Sequence, residues 1–290
     1  MNRKIIIPDT WMGESLEGAI ERALSSSIKP APRRYTAKAT DTKPTPANID
    51  NPKNWLILEG RTHGSYGYND LLVSIHRLGY NPSVETAAKT LNLSFKDSAK
   101  EEHTSIPYIG DIKWESAVKL NLAIGNQTLD LRQGMDLISD LRNASRNKKN
   151  LYNGKGEKVD SRVLEVLYNE IWGKRDPWRA EWLDTRFVEE QGTLYVEHGH
   201  TLDASGNLVY VHKEPLEECL KSNNYFSIRS INRQGLPTKT SSKDTYYFGD
   251  PSNGSVAGFG ASSGGADLNG DRGPQDANAS LGVRPVRKKN

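Results

Sequence analysis

The sequence changes period at Gly173. Before it, Leu129–Leu141 and Ser161–Trp172 carry apolar residues three and four apart, and each reads as an amphipathic helix. After it, Trp182–Val188 and Thr193–Glu197 alternate around a turn at Gln191-Gly192, the pattern of a hairpin. A turn at 203–206 leads into a further expected strand at Leu208–His212. Others are expected at Tyr225–Ile231, Tyr246–Phe248 and Leu281–Arg287. Helices first and mostly antiparallel strands afterwards predict an α+β fold with two main helices packed on the strands.

Upstream, Trp55–Leu58 reads as a strand with buried character on both faces. A helix is expected from Asn69 or Asp70 to Gly79, and a shorter one from about Ser83 to Leu91. Residues 93–105 read as polar loop, Ile112–Ile124 as strand, and 145–158 as a basic, glycine-containing loop. Residues 1–52 form an expected arm outside the main domain, with a strand at 4–7, a helix at Ser15–Ser26 and a Pro-rich extended stretch over 29–53. The folded domain is expected over 53–290.

Composition narrows the function. The 39 basic and 36 acidic residues nearly cancel, so no specific nucleic-acid partner is implied. A lone cysteine, Cys219, excludes a disulfide framework and a Cys-rich zinc site; its setting, Leu216–Leu220, reads as helical and buried. No run approaches the roughly 20 apolar residues of a membrane span. The apolar run Ile5–Ile7, stopped by Pro8, is too short for a signal peptide, so work outside the cell would need another route or another subunit. No Ser/His/Asp motif, phosphate loop or paired carboxylates stand at recognisable spacing, so the expectation is a protein without catalysis and without a cofactor.

The most unusual stretch is 249–282, made almost wholly of Gly, Ser, Ala, Asn and Asp between the aromatic run Tyr246–Phe248 and the apolar Leu281, Val283 and Val286. Disordered segments favour Lys and Glu, and neither occurs here. The pattern predicts loops displayed on a scaffold. Asp267, Asn269 and Asp271 also place oxygens at alternate positions, as a calcium loop needs. Arg272 at the sharp turn and Asn278 at the closing position depart from that pattern. A third reading comes from the genetic code. If a template carries Asn codons ending in a pyrimidine and its adenines are randomised, the product never encodes Met, Trp, Gln, Glu or Lys, and within 249–282 Gln275 alone breaks that exclusion.

Three segments together, Tyr246-Tyr-Phe-Gly249, the Gly/Ser/Asn/Asp stretch, and Ala279-Ser-Leu-Gly-Val-Arg-Pro-Val286, resemble a family. The chain is similar to the variable proteins of archaeal (Nanoarchaeota-type) diversity-generating retroelements. Their C-terminal variable region, here at about 246–287, sits on a C-type lectin fold. Members close with an LGFR-like strand; here it is Leu281-Gly-Val-Arg284, with Val283 where an aromatic is usual. The resemblance implies a ligand-binding display protein whose surface codons are rewritten by adenine-directed mutagenesis. It implies an unknown macromolecular partner, a protein or other cell-surface structure on another cell or a virus, and the chain is expected to act as a monomer. The displayed positions would be Asp250, Ser252, Asn253, Ser255, Ala257, Ser262, Ser263, Asn269, Asp271 and Asn278, with Phe259 and Arg272 as the large side chains able to anchor a ligand or pin the loop.

Other constellations read as structural. Glu197-His198-Gly-His200 with His212 reads as surface hairpin polars rather than three or four converging metal ligands. Trp172, Trp178 and Trp182 among Asp176, Arg179 and Glu181 read as packed aromatics with ion pairs. Some relatives of the fold generate formylglycine with a cysteine pair, and a single Cys219 does not supply one.

Overall fold

The computed structural model describes residues 10–11, 14–15, 49–93, 96–100, 106–221, 224–241 and 246–289. The chain divides into two units, 1–43 and 44–290. In the first, β1 (Thr10–Trp11) and β2 (Glu14–Ser15) pair antiparallel. Ser15 is thus strand, and the rest of the helix expected at 15–26, like the strand at 4–7, lies outside the described residues. The second unit starts ahead of residue 53. The Trp55 indole Nε1 donates to the Ile49 carbonyl at 2.9 Å, and the Asn51 side chain caps a short 3-10 turn at Pro52–Asn54.

The second unit opens with β3 (Trp55–Leu58), the hairpin β4 (Arg61–His63) and β5 (Tyr66–Tyr68), and β6 (Leu71–Ser74). The helix expected over 70–79 is therefore strand in its first half. Leu71 and Val73 are buried with Leu72 between them, and β6 is hydrogen-bonded on both sides, to β3 and to the last strand of the chain. Those partners lie too far off in sequence to show in a local pattern. Next come α1 (Pro82–Thr90), capped by the Asn81 side chain on the Val84 amide, then β7 (Lys96–Lys100) and β8 (Pro107–Gly110). The loop expected over 93–105 thus contains a strand, paired with β8. α2 (Trp114–Ala123) replaces the strand expected at 112–124. Trp114, Ala117, Val118 and Asn121 are all buried, a helical stripe hidden within an alternating sequence.

The two main helices stand where the sequence places them, as α3 (Leu131–Ser145) and α4 (Ser161–Trp172). Asp130 and Gln133 close a capping box on α3, and Asp160 caps α4. β9 (Arg179–Glu190) and β10 (Thr193–His198) form the expected hairpin. β11 (Thr201–Leu202) and β12 (Leu208–Val209) pair with each other, and β13 (His212–Pro215) pairs with β10. Residues 216–220 are not helical; Cys219 is buried, and burial pushes its thiol up to about 11. β14 (Asn224–Phe226) is shorter than expected, and β15 (Tyr246–Gly249) is as expected.

The remaining strands are β16 (Val256–Ser262), β17 (Gly265–Arg272), β18 (Leu281–Val283) and β19 (Val286–Lys288). The main sheet has eight strands. Seven run in the order β13-β10-β9-β16-β17-β15-β14, and β18 lies parallel to β9. β19 joins β6 and β3 in a second sheet, so the single closing strand expected at 281–287 is two strands serving two sheets. The fold is α+β. Among the described residues, no helix is long and apolar enough to cross a membrane.

The main sheet is covered on both faces along β9. α3 and α4 pack with Leu183, Phe187, Phe259 and Leu268, whereas α1 and α2 pack with Trp182, Val256, Leu281 and Val283. Helix α3 comes close to β16 because Gly134 has no side chain. A Cβ there would sit 2.8 Å from Phe259 Cζ and 3.1 Å from Leu183 Cδ2.

The two sheets are tied by a buried charge cluster. Arg284, between β18 and β19, donates to Glu181 through Nε (3.0 Å) and Nη2 (2.5 Å), and through Nη1 to the Ser74 carbonyl (2.9 Å). Arg77 Nε lies 3.0 Å from the same Glu181, and Arg77 Nη1 donates to Glu170 of α4 at 2.8 Å. Arg77, Glu170, Glu181 and Arg284 are all buried.

Two substitutions test this packing. Gly134→Ala gains helix propensity worth about 1 kcal/mol, yet overpacking against Phe259 costs about 1–3 kcal/mol. We expect a net loss in urea unfolding, and a gain would show that α3 can move off the sheet. Glu181→Ala removes the carboxylate shared by two buried arginines and is expected to cost about 3–5 kcal/mol. A loss below about 1 kcal/mol would mean the cluster is not what joins the sheets.

Candidate ligand-binding site

The Gly/Ser/Asn/Asp stretch forms two central strands of the sheet rather than a set of loops. Its composition follows from that position. Side chains of a strand alternate between faces. Ala257, Phe259, Ala266 and Leu268 point toward the helices and are buried. Gly258, Gly260, Asp267 and Asn269 belong to the opposite face, where Gly258 pairs with Asn269 and Gly260 with Asp267. β15 extends this face, placing Tyr247 beside Asp267 and Gly249 beside Asn269, and β14 adds Tyr225 beside Tyr247.

Glycines make the floor of this outer face, and polar side chains lie across it. A Cβ on Gly260 would come 3.3 Å from both Asp267 Oδ2 and Asn269 Nδ2, and one on Gly249 would meet the Asp271 carboxylate at 2.2 Å. The pairing of β16 with β17 shifts register between Val256 and Gly258. Beyond that shift Arg272 lies along Gly258, with its guanidinium 5.0 Å from the Trp178 ring. Among the described residues, Asn269 Nδ2 and Arg272 Nε are buried atoms with no hydrogen-bond partner.

The charges here are held against their preference. Burial pushes the Asp267 carboxyl above its ordinary range, with Asp271 adding to the rise and Arg272 opposing it. Burial, with Asp271, does the same to Asp250. Burial also lowers Arg272, against the attraction of Asp276, Asp267 and Asp271. Unmet polar capacity and disfavoured charges on one half-buried surface make it a candidate for binding.

Of the residues singled out in the sequence, Asn269, Asp271 and Arg272 come together on this face, with Asp250 beside Asp271. Ser252 and Asn253 are exposed in the turn before β16, where Asn253 Oδ1 accepts from the Glu189 amide at 2.9 Å. Ser262 and Ser263 lie at the tip of the β16–β17 hairpin, and Asn278 accepts from the Ser280 amide at 2.8 Å in the turn before β18. Three are buried rather than displayed. Ser255 is buried, its hydroxyl held between the carbonyls of Ser252 and Gly270. Ala257 and Phe259 are core, the Phe259 ring lying edge-on to Trp172 at 5.1 Å. Nor do Asp267, Asn269 and Asp271 form a calcium loop. They stand in line on β17, about 7 Å from one to the next, whereas calcium draws its oxygens to about 2.4 Å from one point.

A second constellation lies on the other side of the β9–β10 hairpin. Sequence reasoning read it as surface polars, but His198 and His200 are buried. They line a cleft of about 590 Å³ with Tyr66, Asp130, Asp184 and His212. Asp184, on β9, accepts from the His200 amide at 2.9 Å and pairs with its Nδ1. Asp130, the cap of α3, accepts from the Tyr66 hydroxyl at 2.5 Å and lies 3.4 Å from His198 Nδ1. Burial disfavours the His198 cation, but Asp130 foremost, with Asp184 and Glu214, outweighs it and raises its pKa. The spacing of His198 and His200 about Gly199, just where β10 ends, was the available signal. Their aspartates come from distant elements and gave none. Among the described residues, no three His, Cys, Asp or Glu converge to hold a metal ion.

No family model matches the chain, and no curated protein matches it. A solved structure described as "Crystal Structure of CarF" superposes over 82% of this chain and 99% of that chain, at 11% identity and a TM-score of 0.32.

The raised pKa of Asp267 predicts a pH-dependent effect. A carboxyl whose folded pKa lies above its unfolded value stabilises the fold only while protonated, and that contribution is lost as pH rises through the folded pKa. Asp267→Asn should therefore leave the melting temperature unchanged at strongly acidic pH and raise it at neutral pH. A lowered melting temperature at neutral pH would show that the Asp267 charge is stabilising.

Proposed function

We propose that this is a non-catalytic, ligand-binding display protein on a C-type lectin-like scaffold. Its binding surface is the outer face of β15, β16 and β17, and a diversity-generating retroelement rewrites the codons of that face. The observation that carries the reading is the split within β16 and β17. One set of side chains is locked against α3 and α4, and the alternate set faces outward over a glycine floor. Outward side chains on a rigid sheet can change without opening a cavity in the core beneath α3 and α4. The two helices over a mostly antiparallel sheet, and the Leu281–Val286 frame anchored through Arg284, accord with the lectin-like part of the reading.

The ligand is a macromolecule at the surface of another cell or a virus. Asp250, Asp267 and Asp271 favour a partner that brings hydrogen-bond donors or positive charge, and Trp178 with Arg272 supplies the large flat contact. Asn269, Asp271 and Arg272 form the centre of the contact. Asp250, Ser252, Asn253, Ser262, Ser263 and Asn278 lie at its margins.

The alternation sets a demanding test in the neighbouring DNA. We expect a near-copy of the codons for this region beside a reverse-transcriptase gene, differing only at template adenines. Those adenines should fall at outward positions such as 258, 260, 267, 269, 271 and 272. They should spare 257, 259, 266, 268 and the Leu281–Val286 frame. Absence of the copy, or differences spread evenly over inward and outward codons, would overturn the proposal.

A further inference from the structure

The cleft beside β10 differs from the sheet face in what it leaves unsatisfied. Three carboxylates line it, and each of their oxygens already accepts a hydrogen bond from the protein. Asp130 takes the Gln133 amide (2.9 Å) and the Tyr66 hydroxyl. Asp184 takes the amide and ring of His200. Glu214 takes the Gln234 side-chain amide (3.0 Å) and Arg233 Nη1 (2.6 Å). The spare capacity lies on nitrogen. His198 and His200 each turn Nδ1 to an aspartate, and among the described residues Nε2 of each has no partner, although both residues are more than nine-tenths buried. His212 stacks on His198 with ring centroids 5.0 Å apart, and Arg233 and Lys288 stand in the lining.

Asp130 beside His198 favours its cation, which presents N–H at Nε2 as a charge-assisted donor, and the Asp184 contact at Nδ1 of His200 leaves its Nε2 facing the cleft as a second polar group. The volume suits a small molecule rather than a lone ion. We propose that this cleft is a second binding site, separate from the sheet face, for a small molecule bearing a phosphate or carboxylate group. His198 and His200 grip the anionic group through Nε2, Arg233 and Lys288 draw it in, and Tyr66 and Tyr68 wall the remainder.

The test is a titration of the full-length protein, with inorganic phosphate in one arm and acetate in the other, followed by proton–nitrogen correlation spectra of the imidazoles. We expect saturable movement of the His198 and His200 signals, the stronger arm naming the anionic group, with His76, outside the cleft, unmoved. His200→Gln and, should that variant not fold, Arg233→Gln at the rim should each weaken the effect about tenfold, the loss of one charge-assisted hydrogen bond. No saturable movement in either arm, or movement of His76 in parallel, the sign of an adventitious ion only, would overturn the proposal. Equal affinity in the Arg233→Gln variant would overturn the role of the rim.

Discussion

The carboxylate of Glu181 is the point on which the two sheets depend. It accepts from Arg284 and pairs with Arg77, joining β9 of the large sheet to the segment between β18 and β19 and to the turn after β6. Burying such charges is costly, and replacing a buried pair by apolar groups often stabilises a protein. Here, however, the arginine needs are met in several directions at once. Arg284 also reaches the Ser74 carbonyl, and Arg175 reaches both the carboxylate and the main-chain carbonyl of Glu170. A group satisfied by four separate segments can sit in only one arrangement. We read its contribution as register rather than net stability: it fixes where the last strands lie relative to β9.

That constraint passes to β16 and β17. They are bounded by β9 on one side and β15 on the other, with Phe259 and Leu268 driven against the helices. Gly134 lets α3 lie close upon Phe259, so the inward face is set by shape as well as by hydrophobicity. The outward face has no comparable demand. Where backbone position is settled from beneath and from both edges, outward side chains are released from structural duty, and that release is what a binding surface needs.

How far the sequence shows this depends on how local the cause is. α3 and α4 are legible because their caps, Asp130 and Asp160, and their apolar stripes lie within one segment. The β9–β10 hairpin is legible because Gln191-Gly192 carries the turn, both residues having positive φ. β6 was not, since a strand paired on both sides by distant partners has the same Leu-Leu-Val content as a helix face. α2 was not, since Ile112, Trp114, Val118, Leu120 and Leu122 fit an alternating period, and the burial of Ala117 and Asn121 is what shows the helical one. The tail stood out by composition but was misread as loops where it forms β16 and β17. Glycine and aspartate mark turns in an average strand, but here glycine is needed because Asp267, Asn269, Asp271 and Arg272 lie across the sheet. Asn269, Asp271 and Arg272, singled out through the resemblance, do stand on one face of the sheet. Ser255 and Ala257 were not separated from them, because alternation can be assigned to a face only once the segment is known to be a strand, whereas Phe259 is the core pin that its size allowed for.

The two candidate sites then place opposite demands on their surroundings. On the sheet face the outward residues lie against one another, as Asp271 on Gly249 and Arg272 on Gly258, so an exchange at one position is felt first by those neighbours. In the cleft, His198 depends on the cap of α3 and His200 on β9, while Tyr66 reaches Asp130 from the β4–β5 hairpin. Changing any one of these exposes a buried charge or an unmet hydrogen bond contributed by another. A surface of the first kind suits a ligand that changes, and one of the second kind suits a ligand that does not.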